Sequence, residues 1–454
     1  MTLMLESEPI CSSPAEPCPQ GAMLLRVFAA LEHHGVPYCV LHGYQEYPAR
    51  VPSDVDLLIP AEISAQRLAN VLHDSREFIG GRIVQWFDDS AIFIVLAADQ
   101  QEASPPMLQL HVSRHYSMGG RIFYRDEQII SLRQRHGDFY VPPPSIEFTC
   151  VLINRLCKND LGEDRATRLS ELFAQDPSGC TAAVSEFVSH HSADLITKAA
   201  RDEGWTPVRK AMPILAREFL HSRETTADAP LAAQWRRLRR WLRPRNGLHV
   251  VFLGPDGVGK STVIETFQRD MAQAFLHSTY LTFAPSIIPS KLAPRKSKPH
   301  DLPPRSKPAS LLKAAWWLLC YTVGYLASVH TVLARGGLVV NHRYLLDAIV
   351  DRKRYRYSGP EKLLRWIWAI APKPNYVILL DAPAKVIAAR KSELPIAEIA
   401  RQREAYRSVV TPLPYGRVID ASQPLEKVIA DAERIALQYL ADRCQEQLKL
   451  GGGR

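Results

Sequence analysis

The chain has 454 residues, 46% of them hydrophobic and 23% charged, with a formal charge of +9. That length argues for two or three domains whose cores need no disulfide or metal staple, and the composition excludes a disordered or fibrous protein. The charge points to anionic partners, but over so many residues it is too thin to specify nucleic acid.

In chain order, residues 1–20 carry Glu6, Glu8, Glu16 and four prolines without the basic and apolar stretches of a secretory signal, and read as a disordered arm. Residues 23–31 (MLLRVFAAL) have helical spacing. Strands are expected at 38–41, ending in His42-Gly43, at 53–59 (SDVDLLI) and at 107–112 (MLQLHV), followed by a helical stretch over 146–220. Residues 235–245 (WRRLRRWLRPR) place Trp235, Leu238, Trp241 and Leu242 on one helical stripe ringed by six arginines. This reads as a domain boundary, and its arginines suit acidic lipid headgroups. From residue 248 onward, strands (LHVVFLG, GGLVVN, NYVILLD, RVIDA) alternate with helices, which implies a parallel sheet with helices on both faces.

Two insertions interrupt that alternation. Residues 285–308 are rich in Pro, Lys, Arg and Ser, with six basic residues against Asp301; they read as a surface loop that either meets an anionic acceptor or is simply solvated. Residues 314–334 contain no Asp, Glu, Lys or Arg and are long enough to span a bilayer. Thr322, Gly324, Ser328, His330 and Thr331 dilute that signal, and the segment lies between two strands of one expected sheet. A buried helix is therefore expected, with membrane contact as the alternative. The eight cysteines form no CxxC pair and read as free thiols of a reducing cytosol, and the fifteen histidines show no metal-binding spacing, so no structural zinc is expected.

The segment Gly254-Pro255-Asp256-Gly257-Val258-Gly259-Lys260-Ser261 fits G-x-x-x-x-G-K-[ST] in full, after an apolar strand and before a helix opening at Thr262. Glycines there let successive backbone N–H groups wrap a phosphate, and the helix N-terminus adds partial positive charge. Lys260 supplies a full charge to the β- and γ-phosphates, and the Ser261 hydroxyl can hold Mg²⁺. A chance glycine-rich turn ending in Lys-Ser would not need that context. The cofactors expected are ATP and Mg²⁺.

In the form GPDGVGKST, with an acidic residue inside the loop, the segment resembles the thymidylate kinase family. The resemblance covers about residues 248–440: GGLVVNHRY at 336–344 is similar to that family's strand ending in Asp-Arg-Tyr, NYVILLDAP at 375–383 to its later strand, and VIDA at 418–421 to its last. The run from Arg343 to Tyr357 is similar to a subgroup found in bacterial surface-polysaccharide clusters. By that resemblance Asp256 accepts a hydrogen bond from the acceptor, Arg343 clamps an acceptor phosphate, and Arg401 and Arg403 of a lid close over the γ-phosphate. A solvated helix face is an equal account of the two lid arginines. His342 stands where the family has Asp; Asp347, Asp351 or Asp381 is the available substitute, and the domain either keeps activity with altered metal geometry or binds nucleotide with poor turnover.

Near the amino terminus, Asp54 and Asp56 are one residue apart on a strand, so both side chains lie on one face and can jointly hold a divalent ion. With His42-Gly43 before them, they resemble the nucleotidyltransferase fold of the polymerase β superfamily. Two departures weaken a catalytic reading: Tyr44 follows Gly43, and His111 occupies the position expected for a third acid. A D-x-D pair on an edge strand is the plain alternative, and Lys158, Asp160 and Asp164 read as solvated charges.

The expected fold class is therefore α/β: a carboxy-terminal three-layer P-loop kinase domain (246–445) and an amino-terminal α+β nucleotidyltransferase-like domain (21–140), joined by a helical segment and basic linker (141–245), with a tail at 446–454. The expected function is ATP- and Mg²⁺-dependent transfer of the γ-phosphoryl group to a nucleoside monophosphate or a sugar or glycan intermediate. A nucleotide-binding scaffold with degraded catalytic centres is the competing reading. Expected partners are the small-molecule acceptor, a membrane surface or glycan-lipid, and a second copy of the chain; nucleic acid is not expected. The expected location is the cytoplasm, at the inner membrane face.

Overall fold

The computed structural model describes residues 16–89, 91–99, 105–202, 204–222, 246–285, 303, 305–390 and 395–451. The basic segment 235–245 and most of the loop 285–308 lie outside the described residues. The chain divides into two compact units, with the boundary at residues 228 and 229 and with Val84–Phe87 grouped with the second.

The first unit is built on a five-stranded sheet of β1 (Cys39–Val40), β2 (Val55–Leu58), β3 (Gly81–Asp88), β4 (Ile92–Ala98) and β5 (Met107–Ser113), in the order β1-β2-β5-β4-β3. β2 runs antiparallel to β1 and parallel to β5, in a register that sets Asp56 opposite His111. Two small hairpins follow: β6 (His115–Met118) with β7 (Arg121–Arg125), and β8 (Gln134–His136) with β9 (Phe139–Val141). Five helices then run from Pro144–Lys158 to Thr206–His221. Their apolar faces share one core with Cys39, Leu41 and Leu58 of the sheet, so in this structure they pack as part of the first unit. At the heart of that packing, Glu147 is buried and held by Arg168 at 2.9 Å and by the Tyr44 hydroxyl at 2.5 Å.

The second unit is a mixed α/β structure around a parallel sheet of β10 (Leu248–Leu253), β11 (Ser278–Leu281), β12 (Leu338–His342), β13 (Tyr376–Asp381) and β14 (Gly416–Asp420), in the order β11-β12-β10-β13-β14. Every residue of β10 is buried, as near-continuous apolar character requires of a central parallel strand covered on both faces. The edge strands β11 and β14 alternate or are half exposed.

The apolar insertion forms one helix, Lys307–Ala334, whose middle, Cys320–Val329, has π-helical bonding. The expectation of a buried helix holds for one face alone. Ala314, Trp317, Tyr321, Tyr325 and Val329 face the core, whereas Leu312, Trp316, Leu319, Val323 and Leu326 are exposed, with Leu312 75% accessible. By length and composition it is the one described helix able to cross a membrane.

Candidate functional site

The sheet order places the ends of β12 and β13 on either side of the loop that leaves β10. Gly254 opens that loop at φ +146°, and a Cβ on it would stand 2.5 Å from the Leu380 carbonyl oxygen of β13. Only glycine fits there. Gly257 and Gly259 also take positive φ, and Gly259 caps the helix Lys260–Met271 with no side chain occupying its first amides. Ser261 and Thr262 are exposed at that terminus. The backbone thus forms a cradle suited to phosphate oxygens, open at the position where Ser261 would reach a metal ion.

Lys260 is buried, and its Nζ donates to the carbonyls of Gly254 (2.7 Å) and Pro255 (2.8 Å). Burial lowers its pKa to about 8, against the opposing pull of Asp256. Asp256 is the electrostatic hub: Arg343 Nη2 donates to it at 2.7 Å, Arg354 forms a second ion pair, and Lys260 lies 3.8 Å away. Burial raises its pKa, but the three cations outweigh burial and hold the carboxyl well below the usual carboxylate range. Arg343 reaches it from a left-handed backbone at φ +84°, a conformation that a non-glycine residue adopts only where its surroundings enforce it.

His342 does not take over the role of an acid. Burial and the neighbouring Lys260 and Arg343 lower its pKa to about 4, so it is neutral near pH 7, and its Nδ1 lies 2.9 Å from the Tyr280 hydroxyl of β11. The substitute carboxylates are engaged elsewhere. Asp347 is buried, accepts from the Tyr344 amide and the Tyr406 hydroxyl at 2.7 Å each, and caps its own helix. Asp351 accepts from the Arg354 amide and from Gln402. Asp381, at the end of β13, is held by Arg403 (2.7 and 3.0 Å) and Arg407 (3.1 Å).

The two lid arginines therefore part company. Arg403 is anchored at the sheet end beside the loop, whereas Arg401 pairs with Glu398, three residues back on its own helix, and does not reach the loop in this structure. A pairing at that spacing is the local option a helix always offers, and it explains the departure from the expected position. Two residues to which the sequence assigns no role of their own do belong here. Arg354 sits on Asp256, and Arg390 donates to the carbonyls of Val258 (3.3 Å) and Ala421 (2.9 Å), bracing the outer side of the loop. Both lay within segments singled out for other reasons, and nothing in their spacing distinguished them from neighbouring arginines.

In the first unit, His111 Nδ1 lies 2.9 Å from Asp56, and His42 Nε2 approaches the same carboxylate at 3.6 Å. The donor atoms of Asp54, Asp56 and His111 all lie within 4.8 Å of one another. Lys158, read from the sequence as a solvated charge, is exposed.

Over 201 residues, 40% of this chain, the sequence is 26% identical to proteins named thymidylate kinase in Lacticaseibacillus casei and Lacticaseibacillus paracasei, covering 92% of each. No protein-family model matches the chain. The similarity supports a P-loop kinase-like region and, for function, a nucleotide kinase-like phosphotransfer.

Proposed function

We propose that the second unit is an ATP- and Mg²⁺-dependent phosphotransferase whose acceptor already carries a phosphate: a nucleoside monophosphate or a phosphorylated sugar or glycan intermediate. The observation that carries this reading is Asp256 clasped by Arg343, Arg354 and Lys260 beside the glycine cradle. In the reaction an acceptor oxygen attacks the γ-phosphorus, the bond from that phosphorus to the bridging oxygen breaks, and ADP leaves. Phosphoryl transfer of this kind needs positioning and charge neutralisation more than covalent chemistry. A carboxylate held so far below its usual range is a weak base, so Asp256 orients the acceptor and does not deprotonate it. An oxygen that is already anionic needs no base. Arg343 and Arg354 supply the charges that such an acceptor would meet. Bound Mg²⁺ would neutralise the donor's β- and γ-phosphates, with Ser261 its ligand from the loop.

Isothermal titration should show ATP binding that Lys260→Ala abolishes, and ATP consumption with a panel of nucleoside monophosphates and sugar phosphates should be lost in Asp256→Ala. Full ATP affinity in the lysine variant would remove the site assignment.

A second reading, a nucleotide-binding scaffold, draws on the neutral His342 and on Asp381 being tied up by two arginines. No consumption with any acceptor, alongside tight ATP binding, would favour it. The exposed apolar face of the helix Lys307–Ala334 is consistent with work at a membrane surface on glycan-lipid intermediates, at the cytoplasmic side. The amino-terminal unit stands in this reading as a nucleotidyltransferase-like module.

A further inference from the structure

We propose that the second unit docks on the anionic surface of a lipid bilayer, with the helix Lys307–Ala334 lying flat among the headgroups and not crossing the membrane. The inference rests on the membrane contact proposed for this helix, which it narrows to one surface and one mode; it is independent of the phosphate loop. It starts from the sequence: residues 305–335 contain no Asp or Glu, and residues 314–334 contain no charged side chain at all.

Helical spacing divides this stretch into two apolar faces. Trp317, Tyr321, Tyr325 and Leu333 are packed into the cores of the second unit, so the helix cannot leave the protein to span a bilayer without emptying them. Leu312, Trp316, Leu319, Val323 and Leu326, each at least 42% exposed, form the outer stripe. At 1.5 Å per residue that stripe is about 20 Å long. The helix Glu361–Ile370 packs beside it over the same core and adds the exposed Trp366 and Ile370. Single exposed apolar residues are ordinary on a soluble surface, whereas a stripe of this length marks a docking face.

Two observations make lipid the occupant. The aliphatic hydroxyls of the charge-free stretch are all bonded back to their own helix: Thr322 donates to the Leu318 carbonyl at 2.8 Å, Ser328 to that of Gly324 at 2.6 Å, and Thr331 to that of Ser328 at 2.8 Å. Satisfied in this way, they leave no hydrogen bond wanting against acyl chains and none to orient a protein partner. Bases, in turn, close both ends of the stripe. Arg305 and Lys307 are exposed at its amino-terminal end, Arg335 at the other, and Lys362 and Arg365 on the neighbouring helix. The one acid of that neighbouring helix, Glu361, is paired with Arg365 at 2.8 Å. Lys313 turns away from the stripe to the Tyr355 carbonyl. An apolar face carrying tryptophan and rimmed by bases suits an interfacial helix on anionic headgroups. A second copy laid on the same stripe about a two-fold axis would set these bases against one another.

The test is flotation of the full chain with vesicles of phosphatidylcholine alone and of equal parts phosphatidylcholine and phosphatidylglycerol. The protein should bind the mixed vesicles about ten-fold more tightly or better, and added salt should weaken that binding. The triple substitution Trp316→Ser, Leu319→Gln and Val323→Ser, all at exposed positions, should lower binding to the mixed vesicles about ten-fold or more. Lys307→Glu with Lys362→Glu should remove the preference for anionic lipid. An unchanged melting curve verifies that each variant is folded, and ATP titration of the same samples reports on the phosphate loop separately. No flotation of the unmodified protein removes the membrane contact altogether. Flotation that survives the triple substitution keeps a membrane contact but overturns this helix as its site, and equal binding to both kinds of vesicle overturns the anionic surface. A dimer in sedimentation velocity that the triple substitution breaks, with no vesicle bound, assigns the stripe to a second copy and overturns the proposal.

Discussion

Nucleotide binding should be coupled to proton uptake through Lys260. In the unliganded protein, burial lowers this ammonium to a pKa of about 8, even with Asp256 3.8 Å away. Its two nearest acceptors are main-chain carbonyls of the loop itself, which carry no full charge. A triphosphate in the cradle brings several negative charges to the same nitrogen and raises its pKa, because an opposite charge nearby favours the charged form. The sign follows: at a pH above the free value and below the bound one, the complex holds a proton that the free protein lacks. At about pH 8.5 the free lysine is roughly one-quarter protonated, so binding draws in about 0.75 proton; at about pH 7 the figure is about 0.1. Affinity should correspondingly fall above about pH 8, approaching ten-fold per pH unit. Titration calorimetry of MgATP at both pH values, in buffers of low and high ionisation enthalpy, reads the uptake directly from the difference in apparent heat. Heats that do not depend on the buffer at about pH 8.5, with affinity flat to about pH 9.5, would mean that Lys260 is not the group meeting the phosphates.

Three other outcomes follow from the same geometry. Gly254→Ala puts a Cβ 2.5 Å from the Leu380 carbonyl oxygen at φ +146°, a strain on the order of 1–3 kcal/mol or a displaced loop; ATP titration should show binding lost, and wild-type affinity would show that the loop does not need this backbone. His342→Asp adds a negative charge beside Lys260 and Arg343, so steady-state kinetics should give a lower Mg²⁺ requirement and a higher acceptor KM. An unaltered KM would place the acceptor's charge elsewhere. Arg168→Ala leaves the buried Glu147 with Tyr44 but without its cation, which costs about 3–5 kcal/mol where one partner of a buried pair is removed; denaturant unfolding resolved for the first unit measures it, and a loss below about 1 kcal/mol would show the pair to be well solvated.

The parts of the molecule legible in the sequence were those in which one local rule decides the outcome. The phosphate loop could be read because glycine spacing, a preceding apolar strand and a following helix all point to one backbone path. β10, β12 and β13 could be read from apolar runs, whereas His111 beside the Asp54–Asp56 strand is expected only through the resemblance to a nucleotidyltransferase. β11 was not, since Ser278–Leu281 is a short edge strand with alternate residues exposed. β3 and β4 are not among the expected strands, although IFIVLAA in β4 is a clear apolar run. The helix Lys307–Ala334 shows the limit of composition. Both of its faces are apolar, so periodicity cannot separate the face that packs from the face that does not. Among the arginines, only tertiary structure separates Arg354 and Arg403, which meet Asp256 and Asp381, from Arg401, which turns to Glu398.

The same separation explains what the replacement of an acid by His342 does. Around the loop, Lys260, Arg343 and Arg354 face Asp256, and His342 at about pKa 4 adds no compensating charge near neutral pH. Another carboxylate at that position would have offset one of the three cations; with an imidazole there, the surplus stays positive. That surplus favours bringing two anionic phosphates together against their mutual repulsion and does little to activate a neutral hydroxyl. The cost falls on the metal. Asp347 is committed to capping its helix, with its pKa raised by burial, and Asp381 is engaged by two arginines, so on the proposed reading Ser261 would be the ligand the loop offers. Mg²⁺ commonly enters such sites carried on substrate phosphates with most of its water retained. On the proposed reading, a centre with few protein ligands and excess cationic charge would therefore recruit its metal with the nucleotide and select its acceptor by charge.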